Sequence, residues 1–149
     1  MRILIDADGC PVVDIAVRVA RDHNIECLIL CDTSHVFEKE GITTLTFSKG
    51  ADSVDFALVN LVKQGDIVIT QDYGLAAMCL ARLAIPINQD GMEYTADNID
   101  ALLLARHTAR KIRGAGGRTK GPAKRTENQN RTFENKLAKL LTIDGEKVT

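Results

Sequence analysis

Two aspartates, Asp6 and Asp8, follow directly on a short apolar segment in the stretch ILIDADGCPVVD. Carboxylates so close together repel each other unless a positive group lies between them. Further acids come after later apolar segments, namely Asp52 and Asp55 in KGADSVDFALV and Asp72 in ITQDYGLA. Oxygen ligands of this kind suit Mg²⁺ or Mn²⁺ better than zinc. The sequence therefore predicts that these five aspartates bind a divalent cation, with Asp6, Asp8 and Asp72 as the catalytic residues.

The chemistry that such a site supports is hydrolysis of a phosphodiester. Two divalent cations can stabilise the attacking and leaving oxygens while an activated water attacks, so no protein nucleophile is needed. Apart from Lys49, the segments that carry these acids contain no Lys or Arg, which leaves a cation as the expected source of neutralising charge. The neutral side chains of Thr70 and Gln71 could orient a water molecule there or cap a helix.

The elements that must position these acids alternate along the chain. Short segments rich in branched apolar residues alternate with helical patterns, which predicts a parallel sheet covered by helices on both faces. We therefore expect an α/β fold with three layers, α/β/α, and a mostly parallel sheet of four or five strands. Strands are predicted at 2–6, 25–30, 42–47, 66–70 and 85–88, and helices at 12–23, 52–65, 74–84, 95–113 and 128–142.

Each predicted strand is followed by an acid. In an open parallel sheet the loops at the carboxyl ends of the strands face one crevice, so the acids in those loops are expected to meet. Asp52 and Asp55 are three residues apart and share one face of a helix at its first turn. Acids at these places also form turns and cap helices, and we assign Asp32 and Asp90 to that role.

Length and composition are typical of one globular domain, residues 1–149, with a core over 1–113, a basic glycine-rich loop over 114–126 and a C-terminal helix. The chain contains no apolar run long enough to cross a membrane and no signal peptide, which predicts a cytoplasmic protein without a membrane partner. The four cysteines lie in or beside apolar segments without zinc spacing, so we expect reduced thiols in the core.

The charges are unevenly distributed. Residues 1–100 contain 7 Lys and Arg against 16 Asp and Glu, whereas residues 101–149 contain 12 against 4. A basic segment of this kind indicates a polyanionic partner, although a solvated helix face has the same composition. Aromatic residues are scarce, so contacts with a nucleic acid should be mainly to phosphates. The residues predicted to bind nucleic acid are Arg106, Arg110, Lys111, Arg113, Arg118, Lys120, Lys124 and Arg125.

The motifs DADGCPV, KGADSVDFALV, TQDYGLA and RKIRGAGGRTKGP resemble those of the YaiI/YqxD family of largely uncharacterised bacterial proteins, over nearly the whole chain. The resemblance implies a PIN-like fold, related to nucleases that cut RNA with Mg²⁺ or Mn²⁺. It implies that Asp6 is the first metal ligand, that Asp52 or Asp55 is the acid from the middle of the chain, and that Asp72 is the acid of the TxD motif. Asp90 is the candidate for the fourth acid of that set.

Two other functions stay open on the sequence. An apolar strand followed by DxDG is also the opening motif of haloacid dehalogenase-like phosphohydrolases, in which Asp6 would be the nucleophile and Asp8 the general acid. The chain could instead be a non-catalytic nucleic-acid-binding module. Of the three histidines, His35 is the one expected to border the crevice. The sequence does not fix the oligomeric state, and a homodimer stays open.

Overall fold

The computed structural model describes residues 1–50, 53–114, 116 and 124–148. These residues form five strands and five helices. The strands are β1 (Arg2–Asp6), β2 (Glu26–Asp32), β3 (Thr43–Phe47), β4 (Ile67–Ile69) and β5 (Ile85–Ile87). The helices are α1 (Val13–Asp22), α2 (Ser53–Leu61), α3 (Tyr73–Ala81), α4 (Ile99–Gly114) and α5 (Glu127–Val148).

The five strands form one parallel sheet in the order β3-β2-β1-β4-β5. The chain therefore builds the sheet outward from β1 in one direction and, after α2, crosses over β1 to build it in the other direction. The predicted α/β fold with helices on both faces of a parallel sheet is confirmed. The point at which the strand order reverses, between β1 and β4, is where open sheets of this type bind ligands.

The alternation of side chains along β1 separates two cores. Ile3 and Ile5 pack in a core with α1 and α5, whereas Leu4 packs on the other side with α2 and α3. Because side chains alternate with a period of two, Asp6 at the end of β1 continues the Leu4 face. Its carboxylate is thus directed toward the helices that begin near Asp55 and Asp72.

Helix α4 lies outside this sandwich and packs on α3 through a third, smaller core around Tyr94 and Ile99. Its regular part begins at Ile99, and a single turn over 96–98 leads into it from Thr95, the predicted start, where Thr95 and Asn98 form a reciprocal capping box. Thr126 and Gln129 form a similar box at the start of α5. These caps fix where both C-terminal helices begin.

Candidate functional site

An open cleft of about 450 Å³ lies over the carboxyl ends of β1, β2 and β4. It sits at the reversal of strand order, where the sheet geometry leaves space between consecutive loops. Its lining includes Ser53 and Gln71. The side-chain nitrogen of Gln71 donates a hydrogen bond to the carbonyl oxygen of Gly9 at 2.9 Å. This bond connects the loop after β1 to the loop after β4. Five carboxylates also line the cleft, those of Asp6, Asp8, Asp32, Asp55 and Asp72.

Asp6 lies deepest in this group. Its Oδ2 accepts a hydrogen bond from the hydroxyl of Thr70 at 2.8 Å, and that hydroxyl in turn accepts one from the backbone N–H of Asp72 at 3.0 Å. The pKa of Asp6 is raised from 3.8 to about 6: burial is the largest cause, the Thr70 hydrogen bond opposes it, and the charges of Asp55, Asp72 and Asp8 add to it. The pocket thus holds the Asp6 carboxylate in an environment that disfavours its charge.

Thr70 is itself fixed by Tyr94, on the side away from the cleft. It is buried, with 1% of its surface exposed, and its carbonyl oxygen accepts a hydrogen bond from the hydroxyl of Tyr94 at 3.1 Å. The ring of Tyr94 also contacts that of Tyr73 edge to face, with 5.9 Å between ring centroids. Thr70 is therefore occupied in fixing the Asp6 carboxylate, and it does not project into the cleft to bind a ligand.

Asp8 lies in the turn after β1, where Gly9 adopts a positive φ of 75° that favours glycine. Oδ2 of Asp8 accepts a hydrogen bond from the backbone N–H of Asp32 at 2.9 Å, which ties the ends of β1 and β2 together. Oδ1 of Asp8 lies 2.7 Å from Nδ1 of His35. This contact is not counted as a hydrogen bond, and among the described residues the buried Oδ1 has no hydrogen-bond partner.

Asp32 and His35 complete a second grouping at the same side of the cleft. One ligand atom from each of Asp8, Asp32 and His35 lies within 4.8 Å of the other two, close enough for a single cation. Asp32 also forms the turn that we predicted, because its Oδ1 accepts hydrogen bonds from the backbone N–H and the hydroxyl of Ser34. These bonds lower the pKa of Asp32. Asp32 therefore combines a turn-forming role with a position in the cleft.

Asp72 caps α3. Its Oδ1 accepts a hydrogen bond from the backbone N–H of Leu75 at 3.1 Å, which satisfies one of the free N–H groups at the start of that helix. Nη1 of Arg106 on α4 lies 3.6 Å from the same oxygen. The side chains of Arg106 and Asp72 are 34% and 40% exposed, so this ion pair contributes little to stability.

Asp55 lies in the first turn of α2 and lines the cleft opposite Asp72. Its charge is the largest electrostatic contribution that raises the pKa of Asp6. The proximity of the two carboxylates therefore agrees with the prediction that the acids meet at one edge of the sheet. Asp52, the other acid predicted in this segment, lies outside the described residues.

The donor set of the cleft is made of hard oxygen atoms, with one histidine nitrogen at its margin. Such a set fits Mg²⁺ or Mn²⁺, both of which prefer carboxylate ligands. A cation of this kind would also compensate the charge that Asp6 experiences from its three acidic neighbours. The residues present thus fit a divalent cation on grounds of both ligand chemistry and electrostatics.

A family model for the uncharacterised YaiI/YqxD family matches residues 4–143. The chain belongs to this family. A UPF0178 protein of Exiguobacterium sibiricum is 54% identical over 142 residues, which are 95% of this chain and 97% of that protein. A UPF0178 protein of Clostridium acetobutylicum is 46% identical over 143 residues, with the same coverage of both chains. One from Natranaerobius thermophilus is 43% identical over 142 residues, 95% of this chain and 96% of that one.

The YaiI/YqxD assignment confirms the resemblance drawn from the motifs, and the descriptions of the family and of these relatives name no activity. No solved structure matches the chain significantly. The PIN-like relationship therefore stays a prediction. Among the described residues, no helix is both long and apolar enough to span a membrane.

The predicted basic residues of this YaiI/YqxD protein do not share one environment. Arg106 lines the carboxylate cleft, Arg110 lines a neighbouring groove, and Lys111 and Lys124 are exposed. Arg125 is half-buried and donates hydrogen bonds to Asp90 Oδ1 at 2.7 Å, to the carbonyl oxygen of Gln89 and to Asn130. Arg118, Lys120 and the side chain of Arg113 lie outside the described part of the chain.

Two features of the cleft were missed by the sequence reasoning. We treated Asp32 as a turn former alone, although the alternation of β2 places it on the same face as Leu28 and Leu30, which pack against α2 and α3. That alternation could have revealed its position. We also assigned Arg106 to nucleic-acid binding without placing it at the cleft, whereas it lines the cleft from α4. The packing of α4 on α3 leaves no local signal in the sequence.

Asp90 was the candidate for a fourth acid of the predicted PIN-like set. The structure places it in the turn after β5, where it accepts the Arg125 hydrogen bond, and it does not line the carboxylate cleft. Its assignment to a turn agrees with the hydrogen bond that its backbone N–H donates to Asn88. Asp90 therefore anchors the segment that leads into α5.

Cys10 lies next to the acidic turn and is half-buried, whereas the other three cysteines are buried. Burial raises the pKa of its thiol to about 11, and the charge of Asp6 raises it as well. The thiol is thus protonated at neutral pH, which makes it a poor nucleophile. All four cysteines are free, as expected for reduced core thiols.

Proposed function

We propose that this protein is a divalent-cation-dependent nuclease that hydrolyses phosphodiester bonds of RNA. The observation that supports the proposal best is the arrangement of five carboxylates around one open cleft, with the pKa of Asp6 raised to about 6 by burial and by its acidic neighbours. Carboxylates that lie together in this way are tolerated best when a cation binds between them. The cleft is also open enough to admit a polymer.

Asp6, Asp8, Asp55 and Asp72 hold the cation in this proposal, and Asp52 was predicted with them. A bound Mg²⁺ or Mn²⁺ supplies a Lewis acid for the phosphoryl oxygen and lowers the pKa of the attacking water. Thr70 holds the Asp6 carboxylate in one orientation through its hydroxyl. The hydrogen bond between the Asp8 carboxylate and the Asp32 backbone N–H does the same for Asp8. Positioning of this kind is what a hydrolytic site requires from the protein.

The partner is a nucleic acid in this proposal because the positive charge lies beside the cleft. Arg106 lines the cleft itself, and Arg110 follows it one helical turn later on the same face of α4. Guanidinium groups bind phosphate oxygens strongly, and their contribution falls steeply as salt concentration rises. Binding to RNA should therefore weaken strongly with ionic strength, and Arg110→Ala should reduce the slope of that dependence by about one unit.

A cleavage assay with Mn²⁺ and several RNAs tests the proposal. We expect the wild-type protein to cleave, EDTA to abolish cleavage, and Asp6→Asn to lower the rate by about 100-fold or more. The matched control is Asp22→Asn, which removes an exposed carboxylate at the end of α1, outside the cleft. That variant should cleave like the wild-type protein.

Two other outcomes would replace the proposal. A stoichiometric beryllofluoride adduct on Asp6 would identify a phosphohydrolase with Asp6 as the nucleophile. Calorimetric binding of Mn²⁺ that depends on Asp6, without cleavage of any RNA, would identify a non-catalytic binding module. Cleavage that persists in Asp6→Asn would show that the carboxylate cleft is not the catalytic site.

A further inference from the structure

A second groove, of about 310 Å³, opens beside the carboxylate cleft and shares Asp55, Asp72 and Arg106 with it. The shared residues place the two spaces side by side. The cleft is lined mainly by acids, whereas the groove has a different composition. One side carries Arg106 and Arg110 of α4, and the other carries apolar side chains from α2 and α3.

The apolar side of the groove contains two large side chains that the fold leaves in solvent. Phe56 on α2 is 62% exposed and Met78 on α3 is 37% exposed. Single exposed apolar residues are common and need no explanation. Here, however, two of them face the same groove as two arginines, next to a cleft that fits a divalent cation. An apolar surface opposite cationic groups complements a ligand that is flat and apolar at one end and anionic at the other.

We propose that this groove binds one nucleotide of a single-stranded nucleic acid, adjacent to the phosphate that lies in the carboxylate cleft. The base stacks on Phe56 and contacts Met78, while Arg110 binds the backbone phosphate and Arg106 lies between the two neighbouring phosphates. The inference rests on the proposed function, since it takes the carboxylate cleft as the place of the reacting phosphate.

The groove favours a single strand over a duplex. A base within a duplex has both faces covered by its neighbours, so it cannot stack on a protein side chain unless it is extruded. A base of a single strand can stack on an aromatic ring, and such stacking does not depend on which base is present. The groove should therefore add affinity for single strands with little sequence preference.

The absence of a side chain at Gly74 keeps the groove open at its junction with the cleft. A Cβ at this position would lie 3.3 Å from Asp72 Oδ1 and 3.9 Å from Arg106 Nη2. A larger residue would thus fill the space between the acid and the arginine. A strand that passes from the cleft into the groove must cross this junction.

Fluorescence anisotropy with Ca²⁺ in place of Mn²⁺ tests the groove by binding alone, with the cleft carboxylates compensated by a cation. The probes are a labelled oligouridylate and an abasic oligonucleotide of the same length and charge. We expect the wild-type protein to bind the oligouridylate more tightly, by about 5-fold to 20-fold, because stacking of one base adds affinity of this order. Phe56→Ala should remove that difference and leave the affinity for the abasic probe unchanged, and Phe56→Trp should restore it.

The controls separate stacking from charge and from folding. Leu104→Ala truncates an apolar residue of α4 that is 65% exposed and does not line the groove, and it should change neither affinity. Arg110→Ala should lower the affinity for both probes by the same factor. Because Phe56 is mostly exposed, its truncation should leave the melting temperature nearly unchanged.

The outcomes distinguish this inference from the proposed function. Equal affinity of the wild-type protein for both probes, or failure to bind either, would overturn the groove as a nucleotide site, as would an unchanged preference in Phe56→Ala. Any of these results could accompany normal Mn²⁺-dependent RNA cleavage, which would leave the nuclease proposal intact. Conversely, base-dependent binding that requires Phe56, in a protein that cleaves nothing, would support the groove and reject the nuclease.

Discussion

Replacing Asp6 by Asn removes one negative charge from the most buried part of the carboxylate cleft. It keeps a side-chain oxygen that can accept the Thr70 hydroxyl. Folding raises the pKa of Asp6 from 3.8 to about 6, with burial as the largest cause. A shift of roughly two units corresponds to about 3 kcal/mol against the charged form. At neutral pH and without a divalent cation, we therefore expect Asp6→Asn to raise the free energy of unfolding by up to about 3 kcal/mol.

The effect should depend on pH in a defined direction. Because the folded protein binds the Asp6 proton more tightly than the unfolded chain, it holds more protons between pH 3.8 and about pH 6. The stability of the wild-type protein should therefore fall as pH rises through this window, and the advantage of Asp6→Asn should grow over the same range. Below it, where Asp6 is protonated in both states, the two proteins should be equally stable.

Urea unfolding in EDTA at several pH values measures this difference, and Asp66→Asn is its control. Asp66 is also buried, but it accepts hydrogen bonds from Arg2 Nη2 at 2.9 Å and from the backbone N–H of Lys63 at 2.9 Å. The same change should therefore destabilise the protein there by about 3 kcal/mol. If Asp6→Asn also destabilises the metal-free protein at neutral pH, Asp6 is favourably paired and the argument for a cation at the cleft fails.

Three further substitutions test other parts of the site. Arg106→Gln should change stability by less than about 1 kcal/mol, because the pair with Asp72 is exposed, while it tightens Mn²⁺ binding about fivefold in calorimetry and weakens binding to RNA. Gly74→Ala should leave the melting temperature nearly unchanged, because the helix preference of alanine is offset by strain on the Asp72 cap, and it should weaken Mn²⁺ binding by crowding Asp72. Unchanged Mn²⁺ affinity would show that Asp72 is not a ligand. Arg125→Ala should lower the free energy of unfolding by about 1 to 2 kcal/mol, because it removes the hydrogen bonds to Asp90 and Gln89. It should leave the salt dependence of RNA binding unchanged. A weaker salt dependence in this variant would show that Arg125 contacts the nucleic acid.

The fold could be predicted because its signals are local. The segments that become β2 and β4 have continuous apolar centres, which is typical of strands covered on both faces, and Pro11 and Asp72 lie where α1 and α3 begin. Once the sheet is parallel, the carboxyl ends of its strands must lie along one edge. The meeting of Asp6, Asp8 and Asp72 at one cleft follows from that geometry, without knowledge of any side-chain contact.

The parts that could not be predicted depend on contacts between distant segments. Arg106 and Arg125 belong to one basic run in the sequence, yet Arg106 reaches the cleft and Arg125 binds Asp90. Which of these occurs depends on how α4 packs on α3 and how the chain approaches α5, and neither packing leaves a periodic pattern. Charge counts identify a basic segment, but they do not show which of its members are already paired.

The hydrogen bonds inside the cleft bear directly on whether a cation is needed. Asp6, Asp8 and Asp72 each use an oxygen to accept a hydrogen bond from the protein, and bonds of this kind favour the charged form of a carboxylate. If the Thr70 hydrogen bond compensated the charge of Asp6 fully, the pKa of Asp6 would lie at or below its ordinary value. It lies well above that value despite the Thr70 hydrogen bond, because burial and the neighbouring acids outweigh that bond. The Thr70 hydrogen bond thus orients the Asp6 carboxylate without compensating its charge, and a divalent cation bound there would supply that compensation.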